Sequence, residues 1–474
     1  MEKHFREDTL SRKIKMSTNT WVAIGRTRPP SHSEVMPQYV HHLAPKSLPE
    51  ITPATPQQKD SKQRCVKWIA VPAICSLLLF LLAGILLAYY YSSACVHGIP
   101  CGGNTGCVWE SQWCDGLVDC PAGQDEAYCV RLHGSSFLVQ IFSTHRKQWT
   151  TVCSHGWTAQ QARTSCRDIG YSESTSVTWG LRQAHSDDGF LMVKSDPNPH
   201  VPIVQQVEFS NDCPDNTVVT LLCTDCTRGV NSSRVSKGQQ ASLGSWPWHV
   251  SLQLKNSHRC GGAIISPYWI VTVAHCAVMT SSPEDWSVYA GLVDPLGILF
   301  NPAHAVSLII AHEGFDRITH KNDIALMRLT KPLDFTASSN VGPVCLPNVG
   351  LNISVPVNGW TTGYVVALSG DSPHLMEAQV TLTNAAACNS SATYNGRISK
   401  DMLCAKGVQP GSDACGVKTD SGGPVVAQSD GLWWLLGDNI WPESCSDPNK
   451  PGVYSNVTFF LDWIHHQMKK HQND

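Results

Sequence analysis

From Trp68 to Tyr91 the chain carries no charged residue, and no other feature constrains its fold as much. With a rise of about 1.5 Å per residue, a helix over that run reaches across the roughly 30 Å of hydrocarbon in a bilayer. A buried core helix rarely stays uncharged for so long. A cleaved leader is not expected either, since the run starts far from Met1 and lacks a small-residue cleavage site. Lys59, Lys62, Arg64 and Lys67 crowd its N-terminal flank, and the next Lys or Arg is Arg131. Cationic flanks stay on the cytoplasmic side. Residues 1–67 are therefore expected inside the cell, 68–91 as a signal-anchor helix, and the remainder outside: a single-pass, type II arrangement in the plasma membrane. The 20 cysteines agree, for none precedes Cys65 and from Cys95 they recur to Cys445. That density suits an oxidising compartment. Cys65 and Cys75, at and within the run, are expected free or palmitoylated. Asn-x-Ser/Thr sequons at Asn231, Asn352, Asn389 and Asn456 are glycosylation candidates, all on the outer side. With a formal net charge of -3, no basic surface dominates and nucleic acid is not an expected partner.

Residues 1–67 are rich in Pro, Ser, Thr, Gln and His without apolar periodicity, and read as a disordered tail. Residues 95–129 hold six cysteines in a segment too short to build a core, so it needs staples. Within "CVWESQWCDGLVDCPAGQDEAYC", Asp115, Asp119, Asp125 and Glu126 offer hard oxygen ligands of the kind calcium takes. The pattern resembles an LDL-receptor class A repeat at every acidic position. That resemblance implies a structural calcium and the pairings Cys95–Cys107, Cys101–Cys120 and Cys114–Cys129. Residues 130–226 alternate apolar and polar side chains around one helical stretch, "TAQQARTSCRDIGY". Trp149, Cys153, Gly156-Trp157, Cys166, Gly170-Tyr171, Cys213 and Cys223 resemble a scavenger-receptor cysteine-rich domain, which implies Cys153–Cys213 and Cys166–Cys223. No chemistry is visible there, and a spacer or protein-binding module is expected.

Residues 227–234 form a linker, and 235–474 the largest unit. Short strand-like runs parted by Gly, Pro and Asn turns predict an all-β body, closed by a helix over "FFLDWIHHQMKK". Three motifs stand in order: "TVAHC" with His275, "NDIALMRL" with Asp323, and "TDSGGPV" with Ser421. Singly, each is ambiguous. Together they are what amide hydrolysis needs: a nucleophile, a base for its proton, and a carboxylate to orient that base.

These motifs, with "WPWHVSLQ", "PVCLPN" and "WWLLGD", resemble the chymotrypsin-like, trypsin-fold serine proteases, and the whole outer layout resembles the hepsin/transmembrane-serine-protease group. The resemblance implies a double β-barrel with its site between the barrels. His275 is then the base, Asp323 its orienter and Ser421 the nucleophile, with the oxyanion hole made by the N–H groups of Thr419 and Ser421. Asp413 marks the floor of a pocket for Lys or Arg, and Gly452 keeps that pocket open. Cleavage after Arg234 would offer the Val235 amine to Asp420. The implied bridges are Cys226–Cys345, which tethers stem to protease, Cys260–Cys276, Cys388–Cys404 and Cys415–Cys445. Gly359 and Ala427 stand where a further bridge of many relatives would be. Expected partners are extracellular proteins cut after Lys or Arg and protein protease inhibitors, and shedding after activation is allowed.

The departures cluster on function. Ser236 and Lys237 alter the new N-terminus. Thr419 replaces a glycine in the oxyanion hole, and two extra residues lengthen the loop from Gly416. One lost oxyanion donor lowers the rate by about 10²–10³. Ile440 replaces a serine that supports the triad aspartate. Pro442 replaces a glycine that pairs with substrate and has no N–H to give. "TTGYVV" at 361–366 stands in place of a loop that orders on activation. The reading that follows is a membrane-anchored serine endopeptidase of reduced activity. The alternative is a catalytically impaired homologue that works as a cell-surface binding protein. A third reading, endocytic ligand capture by the stem, ranks last because the tail lacks a clear internalisation signal.

Overall fold

A computed structural model describes residues 75–86, 99–101, 106–109, 112–113, 117–121, 125–126, 129–143, 146–172, 177–184, 188–224, 226, 239–294, 297, 301–336, 339–351, 353, 356–365, 374–408, 420–441 and 450–472. The chain divides into two units, the first ending at Leu79. Of the charge-free run, residues 75–86 are described, as a helix with every side chain exposed. Among the described residues no helix is long and apolar enough to cross a membrane.

The second unit holds the stem and the protease-like body. In the stem, strands Val130–His133, Leu138–Ser143, Thr217–Leu222 and Thr178–Gln183 are neighbours in one antiparallel sheet. Helix α1 (Ala159–Ile169) packs against it. Thr158 and Gln161 close its first turn as a reciprocal capping box, and Gly170 ends it. Disulfides Cys153–Cys213 and Cys166–Cys223 staple this module.

The body is built from two sets of antiparallel strands. β1 (His249–Leu254), β2 (Ser257–Ile264), β3 (Trp269–Thr272), β4 (Trp286–Ala290), β5 (His304–Ala311) and β6 (Ala325–Leu329) close a barrel in the order β1-β2-β3-β6-β5-β4. Every residue of β3 and β6 is buried, as strands walled on both faces require. β7 (Val357–Val365), β8 (His374–Thr383), β9 (Met402–Gly407), β10 (Pro424–Ser429), β11 (Leu432–Asp438) and β12 (Gly452–Ser455) follow in the order β11-β10-β7-β8-β9-β12. A bridge from Asn439 to Tyr454 joins the two edges of that order and rounds it into the second barrel. Trp360 and Thr361 of β7 lie opposite Val426 and Val425 of β10. A Cβ on Gly359 would stand 2.5 Å from the Val426 carbonyl, so the close pairing of these strands leaves no room for a side chain there. Thr361–Val365 are strand, paired along their length with β8. The segment standing in for an activation loop is therefore part of the scaffold.

Aromatic packing joins the barrels. Trp246 lies 5.8 Å from Trp248, 5.6 Å from Trp360 and 5.5 Å from Trp433, ring centre to ring centre. Each such pair adds about 0.5–1.5 kcal/mol beyond its buried area. Helix α2 (Leu461–Lys470) closes the body, with Asp462 in its first turn and Lys469 and Lys470 in its last, matching the helix dipole. α2 also carries the stem. A Cβ on Gly170 would stand 2.7 Å from the His465 carbonyl and 2.8 Å from the Lys469 nitrogen, and its φ is +123°. Only glycine lets α1 end against α2 at that separation. Cys226–Cys345 adds a covalent tie between stem and body.

Candidate active site

His275 lies in the short helix Ala274–Ala277 directly after β3, and Cys276 bonds to Cys260 on β2, which pins that helix to the barrel. Asp323 sits just ahead of β6 with 1% of its surface exposed. One carboxylate clamps the histidine twice. The His275 backbone N–H donates to Asp323 Oδ1 at 2.9 Å, and His275 Nδ1 is 2.7 Å from Asp323 Oδ2. Burial pushes the Asp323 carboxyl up, but the hydrogen bonds from His275 and His320 outweigh it and hold the carboxyl below its ordinary value. Asp323 is thus an anion at neutral pH, and a proton on Nδ1 leaves Nε2 as the basic atom of His275.

Ser421 arrives from the second barrel. Gly261 N donates to the Ser421 carbonyl at 2.8 Å, next to the Cys260–Cys276 bridge that leads to His275. Gly422 follows with φ +79°, and a Cβ there would stand 2.5 Å from both the Gly261 carbonyl and Thr272 Oγ1. Among the described residues, no hydrogen bond joins the Ser421 hydroxyl to His275. Such contacts often tighten only when substrate binds.

Asp420 is engaged elsewhere. Its Oδ2 lies 2.9 Å from His258 Nε2, off-line for a hydrogen bond, so the contact is ionic and acts when His258 is protonated. His258 Nδ1 in turn meets Ser251 Oγ at 2.8 Å. Tyr364 N donates to Asp420 Oδ1 at 3.2 Å, and the Tyr364 ring lies 4.9 Å from His258 and 5.2 Å from His249. Burial pushes the His249 imidazole down to about 4, so it is neutral there.

Two of these residues were not foreseen. His320 Nδ1 stands 2.6 Å from Asp323 Oδ2, on the atom that also meets His275. The loop delivers it by a left-handed turn, with φ +55° at His320 and +53° at Asn322, while Asp316 Oδ1 accepts from Ile318 N and Thr319 N. The three-residue spacing in "HKND" was its only signal. Ile440, in place of the supporting serine, is buried at 1% and brings no donor, so His320 supplies the hydrogen bond that Ile440 cannot. The other is His258, whose partner is remote in sequence.

Gly452 opens β12, with Tyr454 Cε2 3.1 Å from where its Cβ would be. In the acidic segment Asp125 and Glu126 are fully buried; Asp125 Oδ2 accepts from Asp119 N at 2.6 Å and Cys120 N at 3.1 Å, and among the described residues Asp125 Oδ1 is buried without a partner. Cys101–Cys120 and Cys388–Cys404 are formed, and Cys107 and Cys129 are each disulfide-bonded. The side-chain amides of Asn389 and Asn456 donate to the carbonyls of Ile398 and Lys400. Arg234, Val235, Ser236, Lys237, Asp413, Thr419, the insertion from Gly416, Pro442, Asp115, Asn231, Asn352, Cys95, Cys114, Cys415 and Cys445 lie outside the described residues.

Sequence comparison decides what a His–Asp clamp with a Ser between two barrels belongs to. Residues 235–464 match the trypsin family and residues 134–230 the scavenger receptor cysteine-rich domain. Human transmembrane protease serine 5 is 32% identical over 343 residues, covering 71% of this chain and 74% of that protein. The chain belongs to the trypsin-fold transmembrane serine proteases. Mouse transmembrane protease serine 11C is 40% identical over 255 residues, covering 52% of this chain and 56% of that protein. As a serine protease of this family, the chain takes proteins as substrates.

Proposed function

We propose that this serine protease is a membrane-anchored endopeptidase that cuts extracellular proteins after Lys or Arg, and that cleavage after Arg234 activates it. The observation that carries the reading is the double clamp of Asp323 on His275, because it fixes both the ring's orientation and its tautomer. In the reaction, Ser421 Oγ attacks the peptide carbonyl as its proton passes to His275 Nε2. The buried Asp323 anion stabilises the imidazolium. The N–H groups of Thr419 and Ser421 receive the oxyanion, and His275 then protonates the leaving amine. Water repeats the sequence on the acyl-enzyme. Asp413 selects the cationic side chain.

Activation is an exchange of partners on one carboxylate. Before the cut, the Asp420 carboxylate sits against His258 Nε2 on one oxygen and accepts from Tyr364 N on the other. The Val235 amine then takes it, an ion pair that would cost about 3–5 kcal/mol to break once buried. The segment 68–91 supplies the anchor. A calcium ion in the acidic segment would be held by Asp115, Asp119, Asp125 and Glu126, and the unpartnered buried Asp125 Oδ1 suits it.

The impaired-homologue reading rested in part on Ile440, and His320 weakens it at that point. The test uses the full-length chain, cut after Arg234, with a fluorophosphonate probe and an Arg-amide peptide. Labelling and hydrolysis that Ser421→Ala abolishes are expected. Signals equal to those of Ser421→Ala would leave the binding-protein reading standing. A Thr419→Gly variant that gains no rate would remove Thr419 as the limiting donor.

A further inference from the structure

Among the described residues, three potential metal-ligating side chains converge at one place. The ligand atoms of His275, His320 and Asp323 all lie within 4.8 Å of one another. We propose that these three residues form an inhibitory site for a zinc-class divalent cation. The proposal relies on the protease reading for its consequence, loss of turnover, and not for binding itself.

The donor set points to the metal class. Two imidazoles and one carboxylate suit zinc and its transition-metal neighbours, whereas calcium and magnesium call for oxygens. The geometry is close to ready. Asp323 Oδ2 already lies 2.7 Å from His275 Nδ1 and 2.6 Å from His320 Nδ1, with a proton in each gap. Zinc bonds nitrogen and oxygen at about 2.0–2.2 Å, so in a tetrahedral site the gaps would open to about 3.3 Å. Shifts of roughly half an ångström achieve this, without a new rotamer. The two rings meet edge to face, 5.3 Å apart at 78°, so their in-plane lone pairs can converge on one point without stacking. The carboxylate is held from behind, by the His275 backbone N–H on Oδ1 at 2.9 Å, as metal-ligating carboxylates usually are. The two histidine side chains are 18% and 25% exposed while Asp323 is closed off, so an ion enters from the cleft and keeps a water ligand on that side.

Occupation disables the base without blocking the pocket. A metal on Nδ1 takes the place of the proton there, and each neutral imidazole keeps its one proton on Nε2. For His275 that is the atom that must accept the Ser421 proton. The metal therefore locks His275 in the tautomer that cannot act, and kcat falls while KM for a small Arg-amide stays near its value. Acid relieves the inhibition, because an imidazolium cannot ligate.

Zn2+ binding is measured by calorimetry on full-length Ser421→Ala and on Ser421→Ala with His320→Gln, so turnover plays no part. The low-field proton signal of His275 Nδ1–H is followed in parallel. One site is expected whose Kd rises at least tenfold in the His320→Gln background, and the low-field signal disappears as that site fills. The melting temperature of the double variant, matched to that of Ser421→Ala, establishes that it is folded, and His320→Asn serves in its place if it is not. Equal affinity without His320, or a low-field signal that survives saturation, overturns the proposal. In the active enzyme, Zn2+ that raises KM and leaves kcat unchanged also overturns it. Failure of the protease reading would show instead as absent Ser421 labelling with zinc binding intact.

Discussion

Replacing Asp438 with asparagine should stabilise the protein in alkali and do little in acid. Asp438 ends β11, is 0% exposed, and among the described residues neither of its carboxylate oxygens has a hydrogen-bond partner. Burial pushes its carboxyl up to about 8. The native state therefore keeps a proton that the unfolded chain releases near its ordinary value. A raised folded value contributes stability that is fully present below about pH 4 and is lost as pH rises through about 8. Each pH unit in that window is worth about 1.4 kcal/mol, so the whole loss is on the order of 5 kcal/mol. Asparagine carries no such proton, and its stability is flat over the same range. Thermal unfolding of both proteins, with disulfides intact, at pH 5, 7 and 8.5 reads the difference. By pH 5 the parent has lost about 1.4 kcal/mol, so the asparagine variant should lead there by only about 3–6 °C. At pH 8.5 the asparagine variant should melt on the order of 10 °C higher, at about 2–4 °C per kcal/mol for a body this size. A gap that does not widen with pH would refute the reasoning, as would an Asp438→Asn protein less stable than its parent at pH 8.5.

Three further outcomes follow from the site. His320→Ala removes a hydrogen bond to a charged, buried carboxylate, worth about 1.5–3 kcal/mol, so kcat/KM should fall roughly 10- to 150-fold with KM little changed; unchanged kinetics would mean that His275 alone orients Asp323. His258→Ala removes the ionic contact on Asp420 Oδ2, so an uncleavable Arg234→Gln chain should show more residual amidase activity with that substitution than without it, and the two should converge when Arg234 is retained and cut. Gly422→Ala forces a left-handed residue and two contacts of 2.5 Å, which should displace the Ser421 turn, abolish fluorophosphonate labelling and lower the melting temperature by several degrees.

Much of this was legible because some residues announce themselves by their neighbours. His275 precedes a cysteine whose partner ends up one strand away, and Asp323 heads a run, "IALMRL", that can only be a buried strand. The cysteine pairings came from resemblance, since spacing alone leaves many connectivities open. What stayed hidden depends on backbone signs and on distance along the chain. His320 reaches Asp323 because it and Asn322 adopt positive φ, a conformation that His and Asn take more often than most residues but that neither requires, so the sequence does not mark it. His258 meets Asp420 across the two barrels, and nothing local to either residue marks the other. Asp438 looks like one more strand-end acid until its burial is known. The segment 361–365 reads as a divergent loop beside its relatives, yet its pairing with β8 runs unbroken.

Moving the supporting hydrogen bond of Asp323 from residue 440 to residue 320 has a consequence for where catalysis can be disturbed. Ile440 sits in the body's core, so a donor there would be as rigid as the barrel. His320 sits on a loop, and that loop must be held from outside. Asn322 N donates to Asp401 Oδ2 at 2.7 Å, and Asn322 Nδ2 donates to the Gly314 carbonyl at 3.0 Å. Asp401 belongs to the second barrel, just ahead of β9, and its own carbonyl accepts from Asn456 N. The orientation of the base thus depends on a carboxylate that touches neither His275 nor substrate. Asp401→Ala removes the tether and leaves Asn322 N without its charged acceptor, a loss of about 1.5–3 kcal/mol shared between stability and loop position. kcat should drop by roughly 4- to 12-fold if about half of that falls on the His320–Asp323 contact. The decisive measurement is the double variant. If Asp401 acts through His320, adding Asp401→Ala to His320→Ala should lower kcat little further, so the two losses are not additive. Full additivity would show that Asp401 supports the fold by another route, and that His320 holds its place without it.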